Sequence, residues 1–245
     1  MRTAGVLDAA ADLLLGGRCA GCERPGRVLC EACRAGLPDR ARPAWPTPTP
    51  AGLVEPWAAA AYDGVVRSLV LGLKERRLLG LRGPLAGLLA TAASAAVVAQ
   101  VPVGPVVLVP VPSRPATVRA RGHDPTYAVT AGAAARLRAD GVDAVAARLL
   151  RTRPGVVDQA GLDAIARSAN LAGSMACADA GLRRLRRRRA YASVVVCDDV
   201  LTTGATAREA QRALEAVGLH VAAIAAVAAT RRRHPVGPEG ASTGG

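Results

Sequence analysis

Four of the six cysteines fall into two Cys-x-x-Cys pairs: Cys19-Ala-Gly-Cys22, seven residues, then Cys30-Glu-Ala-Cys33. The tight turn within each pair aims both sulfurs at one centre, which suits a tetrahedral Zn²⁺ ion. With all four positions filled by protein, such a site is structural rather than catalytic. Two disulfides are the competing use of these residues, and a cytoplasmic chain, whose thiols stay reduced, disfavours them. A redox Cys-x-x-Cys comes singly on a thioredoxin-like βαβ pattern, which is missing here. Zinc would supply most of the folding energy of so short a module. Cys177 and Cys197 stand alone and read as small buried hydrophobes. His123, His220 and His234 are scattered and form no metal or triad pattern.

The second chemical cluster is the run from Val194 to Thr206. Val194, Val195, Val196 and Cys197 read as a buried strand, and Asp198 and Asp199 follow at its carboxyl edge. Open α/β sheets place their ligands at that edge. Adjacent carboxylates there can accept hydrogen bonds from paired ribose hydroxyls. Thr202, Thr203, Gly204, Ala205 and Thr206 then open a helix. Their hydroxyls and backbone N–H groups can wrap a phosphate at the positive end of the helix dipole. Carboxylates at one end and a phosphate cradle at the other describe a ribose 5-phosphate. A dinucleotide site is the weaker alternative, because no G-x-G-x-x-G follows any strand.

This run resembles the phosphoribosyl-pyrophosphate (PRPP) signature of type I phosphoribosyltransferases. Other segments resemble the ComF family within that fold. Pro110-Val111-Pro112 and Arg119-Ala120-Arg121-Gly122-His123 are similar to its proline-rich strand end and Arg-Gly-Phe-Asn segment. Gln159, Gly161, Leu162, Arg167, Asn170, Leu171 and Gly173 are similar to its Gln-x-Gly-Leu to Asn-Leu-x-Gly stretch. The four-cysteine module and a helix ending near Lys74 also match, so the likeness spans Cys19 to Thr230. His123, Asp124 and Pro125 depart from the family's Phe-Asn-Gln, Met175 from a Phe, and Cys197 from an aliphatic residue.

The resemblance implies roles. Asp198 and Asp199 would bind the ribose, and Thr202 to Thr206 the 5′-phosphate. Pro110, Val111, Pro112 and Ser113 would form the pyrophosphate loop, with Mg²⁺ bridging. Gln159, Arg167 and Asn170 would belong to a hood that closes over the site to exclude water. Arg121 and Arg167, with Mg²⁺, would stabilise the departing charge in catalysis. The implied biology is natural transformation: handling of incoming single-stranded DNA beside a helicase-type competence protein. Either a true phosphoribosyltransferase or a non-catalytic nucleic-acid module retaining the phosphosugar fold fits this picture.

Elements must hold these residues in place. Val6, Leu7, Ala10, Leu13 and Leu14 follow helical spacing over residues 4–16, so residues 1–37 read as a helix plus the zinc module. Residues 38–56 are proline-rich and read as a semi-rigid linker. Residues 57–230 read as the phosphoribosyltransferase-like domain. Strands are expected at Trp57–Tyr62, Val106–Val111, Ala144–Leu150, Tyr191–Cys197 and His220–Ala228. Helices are expected from Asp63 to Arg77, Leu85 to Ala99, Thr126 to Asp140 and Thr206 to Val217. Strands alternating with helices imply an α/β domain with a mainly parallel sheet flanked by helices. Residues 151–176 read as irregular with a helical turn or two, and 231–245 as a disordered tail.

Composition sets the outer limits. The 245 residues carry 32 basic and 19 acidic side chains, a formal charge of +13, and no Phe. The core must be Ala, Val and Leu, and an aromatic stacking platform for single strands is excluded. Residues 83–113 are uncharged and long enough to span a membrane. Their alanine content and Pro102, Pro105, Pro110 and Pro112 argue instead for a buried helix and strand, without membrane insertion. No signal-peptide h-region of normal length is found, so the chain is expected in the cytoplasm. Arg183 to Arg189, interrupted by Leu185 alone, could attract the phosphates of a nucleic acid, or be a solvated face. With so few aromatics, any DNA contact would be to backbone phosphate.

Overall fold

The computed structural model describes residues 17–100, 104–113, 115–153, 173–188 and 192–230. The expected helix over 4–16, the hood residues Gln159, Arg167 and Asn170, and the tail over 231–245 lie outside the described residues.

Eight strands and seven α-helices are described. The strands are β1 (Arg42–Pro43), β2 (Pro56–Ala61), β3 (Val106–Pro110), β4 (Ala144–Ala146), β5 (Leu150–Thr152), β6 (Met175–Cys177), β7 (Ser193–Leu201) and β8 (Val221–Ala229). The helices are α1 (Glu31–Ala35), α2 (Gly64–Lys74), α3 (Arg82–Gln100), α4 (Pro115–Arg121), α5 (Pro125–Ala139), α6 (Asp179–Arg188) and α7 (Ala205–Glu215). A 3₁₀ turn over Leu79–Leu81 leads into α3. The main sheet has the order β1-β2-β8-β7-β3-β4. Every pairing from β2 to β4 is parallel, and only the short edge strand β1 runs antiparallel. The chain is therefore an α/β protein with a mainly parallel, mixed sheet flanked by helices.

Alternation along the buried strands builds two cores. Val106, Leu108 and Val195 meet leucines and alanines of α2, α3 and α5 on one face. Val107, Val109, Val194 and Val196 meet α6, α7 and the β5–β6 hairpin on the other. Small residues compensate for the missing Phe by letting elements approach closely. A Cβ on Gly132 of α5 would stand 2.7 Å from that of Ala86 on α3. The apolar stretch Leu79–Gln100 is long enough to cross a membrane, but it packs here as a core helix, with Leu85, Leu89, Ala92 and Ala93 fully enclosed.

Three segments differ from the sequence expectations. Ala144–Leu150 is not one strand. Leu149 N–H donates to Ala147 O at 3.0 Å in a tight turn, and the chain leaves the sheet to form β5. That strand pairs antiparallel with β6, inside the stretch read as irregular. The proline-rich stretch is fastened to the domain rather than spanning between two. Arg42 and Pro43 pair with Ala58 and Trp57 of β2, and Leu53 is buried in the second core. Gln211 of α7 accepts from Val54 N–H at 3.1 Å and donates to Gly52 O at 2.9 Å. Proline lacks a donor, so such a strip can line an edge without leaving N–H groups unpaired. The cysteine module also shares the first core, through Cys19, Ala20 and Leu29.

Helix α7 carries a second anchor. Glu209, only 4% exposed, accepts Met175 N–H at 2.9 Å and pairs with Arg212 at 2.6 Å. Burial pushes the Glu209 carboxyl up, but Arg212 and the backbone N–H groups of Met175 and Gly173 outweigh it and hold the value down. This clamp fixes β6, the strand that follows residues 154–172. Arg212→Met strands a buried carboxylate, and a loss of about 2 kcal/mol is expected after allowing for the partly exposed guanidinium. Glu209→Gln/Arg212→Met should recover part of it. Urea denaturation of wild type and the two variants checks both statements, and equal stability of single and double variants would contradict them.

Candidate functional site

The strand order reverses direction beside β3. The chain runs from β3 outward to β4, and β7 then lies on the other side of β3. Such a switch point opens a crevice at the carboxyl ends of the two strands. Register locates it. Pairing of β3 with β7 ends at Pro110 and Cys197, while β7 continues along β8 as far as Leu201 and Ala229. Val111 N–H makes a last bond to Cys197 O at 2.8 Å before its chain peels away. Asp198 and Asp199 lie just past this point, where β7 has lost its β3 neighbour. The strand does not stop at Cys197 as its sequence suggested, because β8 carries it four residues further, through both acids to Leu201.

Lys74, the last residue of α2, forms an ion pair with Asp199. Asp199 N–H in turn donates to Asp198 Oδ1 at 2.8 Å. Burial and the neighbouring Asp199 charge raise the Asp198 carboxyl well above the ordinary carboxylate value, against a smaller opposing pull from Lys74. Burial by itself would depress Lys74, but the charges of Asp199 and Asp198 more than reverse this and keep it protonated. Asp198 thus stands beside the Lys74–Asp199 ion pair with its ionised form disfavoured. Arg121, at the end of α4, pairs with Glu75 at 2.7 Å and lies near enough to Lys74 to oppose its charge.

A linkage prediction follows for Asp198. The native state binds this proton more tightly than an unfolded chain, where the value is 3.8. Its stabilising effect is therefore complete below about pH 4 and is lost as pH rises through the folded value. Asp198→Asn keeps the neutral form. Its melting temperature should exceed wild type at pH 7.5 and converge with it near pH 4, read from thermal melts across that range. A variant less stable at pH 7.5 would contradict this.

The hydroxyl loop follows β7. Gly204 caps α7 in the left-handed region, φ +74°. Ala205 N–H reaches Thr203 Oγ1 at 3.4 Å, while Thr202 is exposed and Thr206 half-buried. The N-terminal N–H groups of this 11-residue helix face the same crevice end. The proline-rich strip backs the loop, with Pro46, Pro50 and Leu53 against Gly204.

On the β3 side, Pro110 and Val111 are buried and Pro112 and Ser113 half-buried. Ser113 Oγ donates to Asp124 Oδ1 at 3.2 Å, and that oxygen also accepts Tyr127 N–H at 3.1 Å. Arg148 stacks 3.5 Å over the Tyr127 ring with its Nε 3.7 Å from Asp124. Sequence reasoning missed this hub. Its signal was the pair Asp124-Pro125, an N-cap followed by proline at the first helical position. Register and hydrogen bonds thus set Pro110 and Val111 beside Cys197, just before the acids, pair Lys74 with Asp199, and tie Ser113 to the Asp124–Arg148 hub.

The four N-terminal cysteines form a second centre. Their sulfurs all lie within 4.8 Å of one another, and all four are free thiols. Tetrahedral Zn–S bonds of about 2.3 Å place sulfurs roughly 3.8 Å apart, and Cys22 and Cys30 already stand at 3.6 Å. Gly21 and Cys30 N–H groups both point at Cys19 Sγ from 3.4 Å. Burial works against the Cys19 thiolate, yet the backbone N–H donors of Cys30, Cys22 and Gly21 bring it down to about 6. Cys33 is pushed up to about 12, first by sharing a hydrogen bond with Cys30. Four sulfurs this close cannot all ionise without a cation, and a metal such as zinc fits the donor set.

No protein-family model matches this chain, and no curated protein does either. The functional reading therefore rests on the geometry and on the residues themselves.

Proposed function

We propose that this chain is a ComF-like protein of the type I phosphoribosyltransferase fold that binds PRPP or a related phosphosugar. The observation that carries the reading is the switch-point crevice, with Asp198 and Asp199 on one wall and the open N-terminus of α7 at its end. Asp199 accepts from a ribose hydroxyl once Lys74 yields, and Thr202, Thr203 and Thr206 meet the 5′-phosphate over the helix dipole. The 110–113 loop lies across the crevice, where a pyrophosphate would rest near Lys74 and Arg121. Transfer would break the bond between C1 of the ribose and pyrophosphate through an oxocarbenium-like state while C1 bonds to the nucleophile of an acceptor, and Lys74 and Arg121 would take up the charge on the departing pyrophosphate. The acids offer no ready seat for a resident Mg²⁺, because Lys74 already occupies Asp199 and burial disfavours the charged form of Asp198. Magnesium would enter as the counter-ion carried by pyrophosphate.

A second reading has its own support. Arg183, Arg184 and Arg187 form an exposed stripe on α6, anchored by buried Leu182 and Leu185, and pair with no carboxylate among the described residues. Such a stripe suits backbone phosphates of single-stranded DNA, in keeping with a role in DNA uptake beside a helicase-type partner. Calorimetric titration with PRPP and Mg²⁺, with and without Asp199→Asn, tests the first reading. Binding that is saturable in wild type and weakened at least about tenfold in the variant supports it. Absence of binding to wild type rejects it. DNA binding indifferent to salt and to Arg183→Ser/Arg184→Ser/Arg187→Ser rejects the second.

A further inference from the structure

Lys74 ends α2 with its ammonium paired to Asp199, the two side chains 27% and 14% exposed. The helix end is tied down around it. Glu75, the next residue, accepts from Arg121 of α4 at 2.7 Å, and the Arg77 guanidinium donates to Ala120 O of the same helix. One side of the pair is closed by Val70, Leu73, Leu85, Val129 and Val227, around a space of about 10 Å³. That is room for one water at most, and those side chains offer an ammonium no acceptor. Lys74 can therefore leave Asp199 only by turning its own side chain toward the open side. Arg121 already opposes its charge, so the move is favourable only if a new anion receives it.

We propose that Lys74 makes the site select a ribose carrying pyrophosphate on C1 over plain ribose 5-phosphate, a specificity that rests on the phosphosugar reading above. Both sugars need Asp199 for a ribose hydroxyl, so both must displace the ammonium. The phosphate of ribose 5-phosphate lies at the far end of the sugar, at the N-terminus of α7, and leaves Lys74 without a partner. Breaking a half-buried ion pair with no replacement is unfavourable. Pyrophosphate on C1 supplies the replacement beside Arg121. The Lys74–Asp199 pair is then a latch that pyrophosphate opens.

Plain charge attraction and a latch predict opposite signs. Attraction alone makes Lys74→Met weaken every phosphate ligand. A latch makes it weaken pyrophosphate and tighten ribose 5-phosphate. Calorimetric titration of the full chain with Mg²⁺ and each of PRPP, inorganic pyrophosphate and ribose 5-phosphate reads this. Lys74→Met should bind ribose 5-phosphate about tenfold more tightly and pyrophosphate about tenfold more weakly, while Lys74→Arg keeps the wild-type order. Wild type alone carries a second measurement. Saturating pyrophosphate should tighten its binding of ribose 5-phosphate about fivefold, although the two are like-charged. Three results would overturn the latch with the phosphosugar reading intact: PRPP binds wild type but pyrophosphate does not tighten ribose 5-phosphate, Lys74→Met weakens both ligands, or it changes neither. Wild type that binds neither PRPP nor pyrophosphate overturns both.

Discussion

Exchanging Cys30 for serine is expected to empty the four-cysteine centre and lower the melting temperature by more than about 10 °C. Cys30 has three jobs. Its Sγ is one of the four converging sulfurs, it accepts Cys33 N–H at 3.5 Å as the N-cap of α1, and its own N–H supports Cys19 Sγ. Serine keeps the cap but offers a hard oxygen where zinc wants a soft thiolate. Structural zinc supplies about 10 kcal/mol or more to isolated modules. Here part of that is retained by packing, since Leu29 and Ala20 sit in the core shared with α2 and α3. A net loss of several kcal/mol at about 2–4 °C each gives the stated shift for a chain of this size. Metal analysis should find about one zinc per wild-type chain and a small fraction of that in the variant. Cys197→Ala, at a buried free thiol remote from the cluster, should keep its metal and lose far less. A wild type that is metal-free and equally stable after native purification would refute the centre. The loss should also reach the acids, because the module abuts Val65 at the start of the helix that ends in Lys74.

How much of this was legible beforehand depended on the range of the interaction. The cysteine spacing, the Asp-Asp pair and the Thr-Thr-Gly turn are local, and the structure gathers each into a cluster. The helix ends at Ala139 and Glu215 followed from the glycines beyond them, Gly141 and Gly218, both with positive φ. What escaped was set by distant partners. Nothing past Leu150 announces a second strand, because its partner Cys177 lies across a long segment. Proline content predicted a spacer over 38–56, but Gln211, 157 residues from Val54, holds that strip against α7. The end of β7 was misjudged for the same reason, since β8 rather than its own residues carries it past the acids. Lys74 was marked only as the end of a helix, and its pairing with Asp199 required the fold.

Helix α7 is where these distant constraints meet, so its first turn should be the least forgiving place in the domain. Gly204→Ala is expected to cost about 3 kcal/mol and to weaken phosphosugar binding at least about tenfold, against about 1 kcal/mol and no binding change for Gly218→Ala. The two glycines make a controlled pair. Their φ angles are +74° and +78°, so the left-handed backbone penalty is the same. They differ in space. A Cβ on Gly218 meets nothing within 4 Å, whereas one on Gly204 would fall 2.9 Å from Pro46 Cγ and 3.2 Å from Leu53 Cδ2. Pro46 belongs to a strip that cannot simply move aside, because Gln211 and the Arg208 bond to Ala51 O pin it to α7. Relief must come from the loop itself, which shifts Thr203 and the first N–H groups of the helix off the proposed phosphate position. Urea denaturation gives the stability difference between the variants, and PRPP titration gives the binding difference. If both variants lose the same stability and Gly204→Ala still binds like wild type, the strip is not a rigid backing. The crevice end would then owe its shape to the glycine backbone alone.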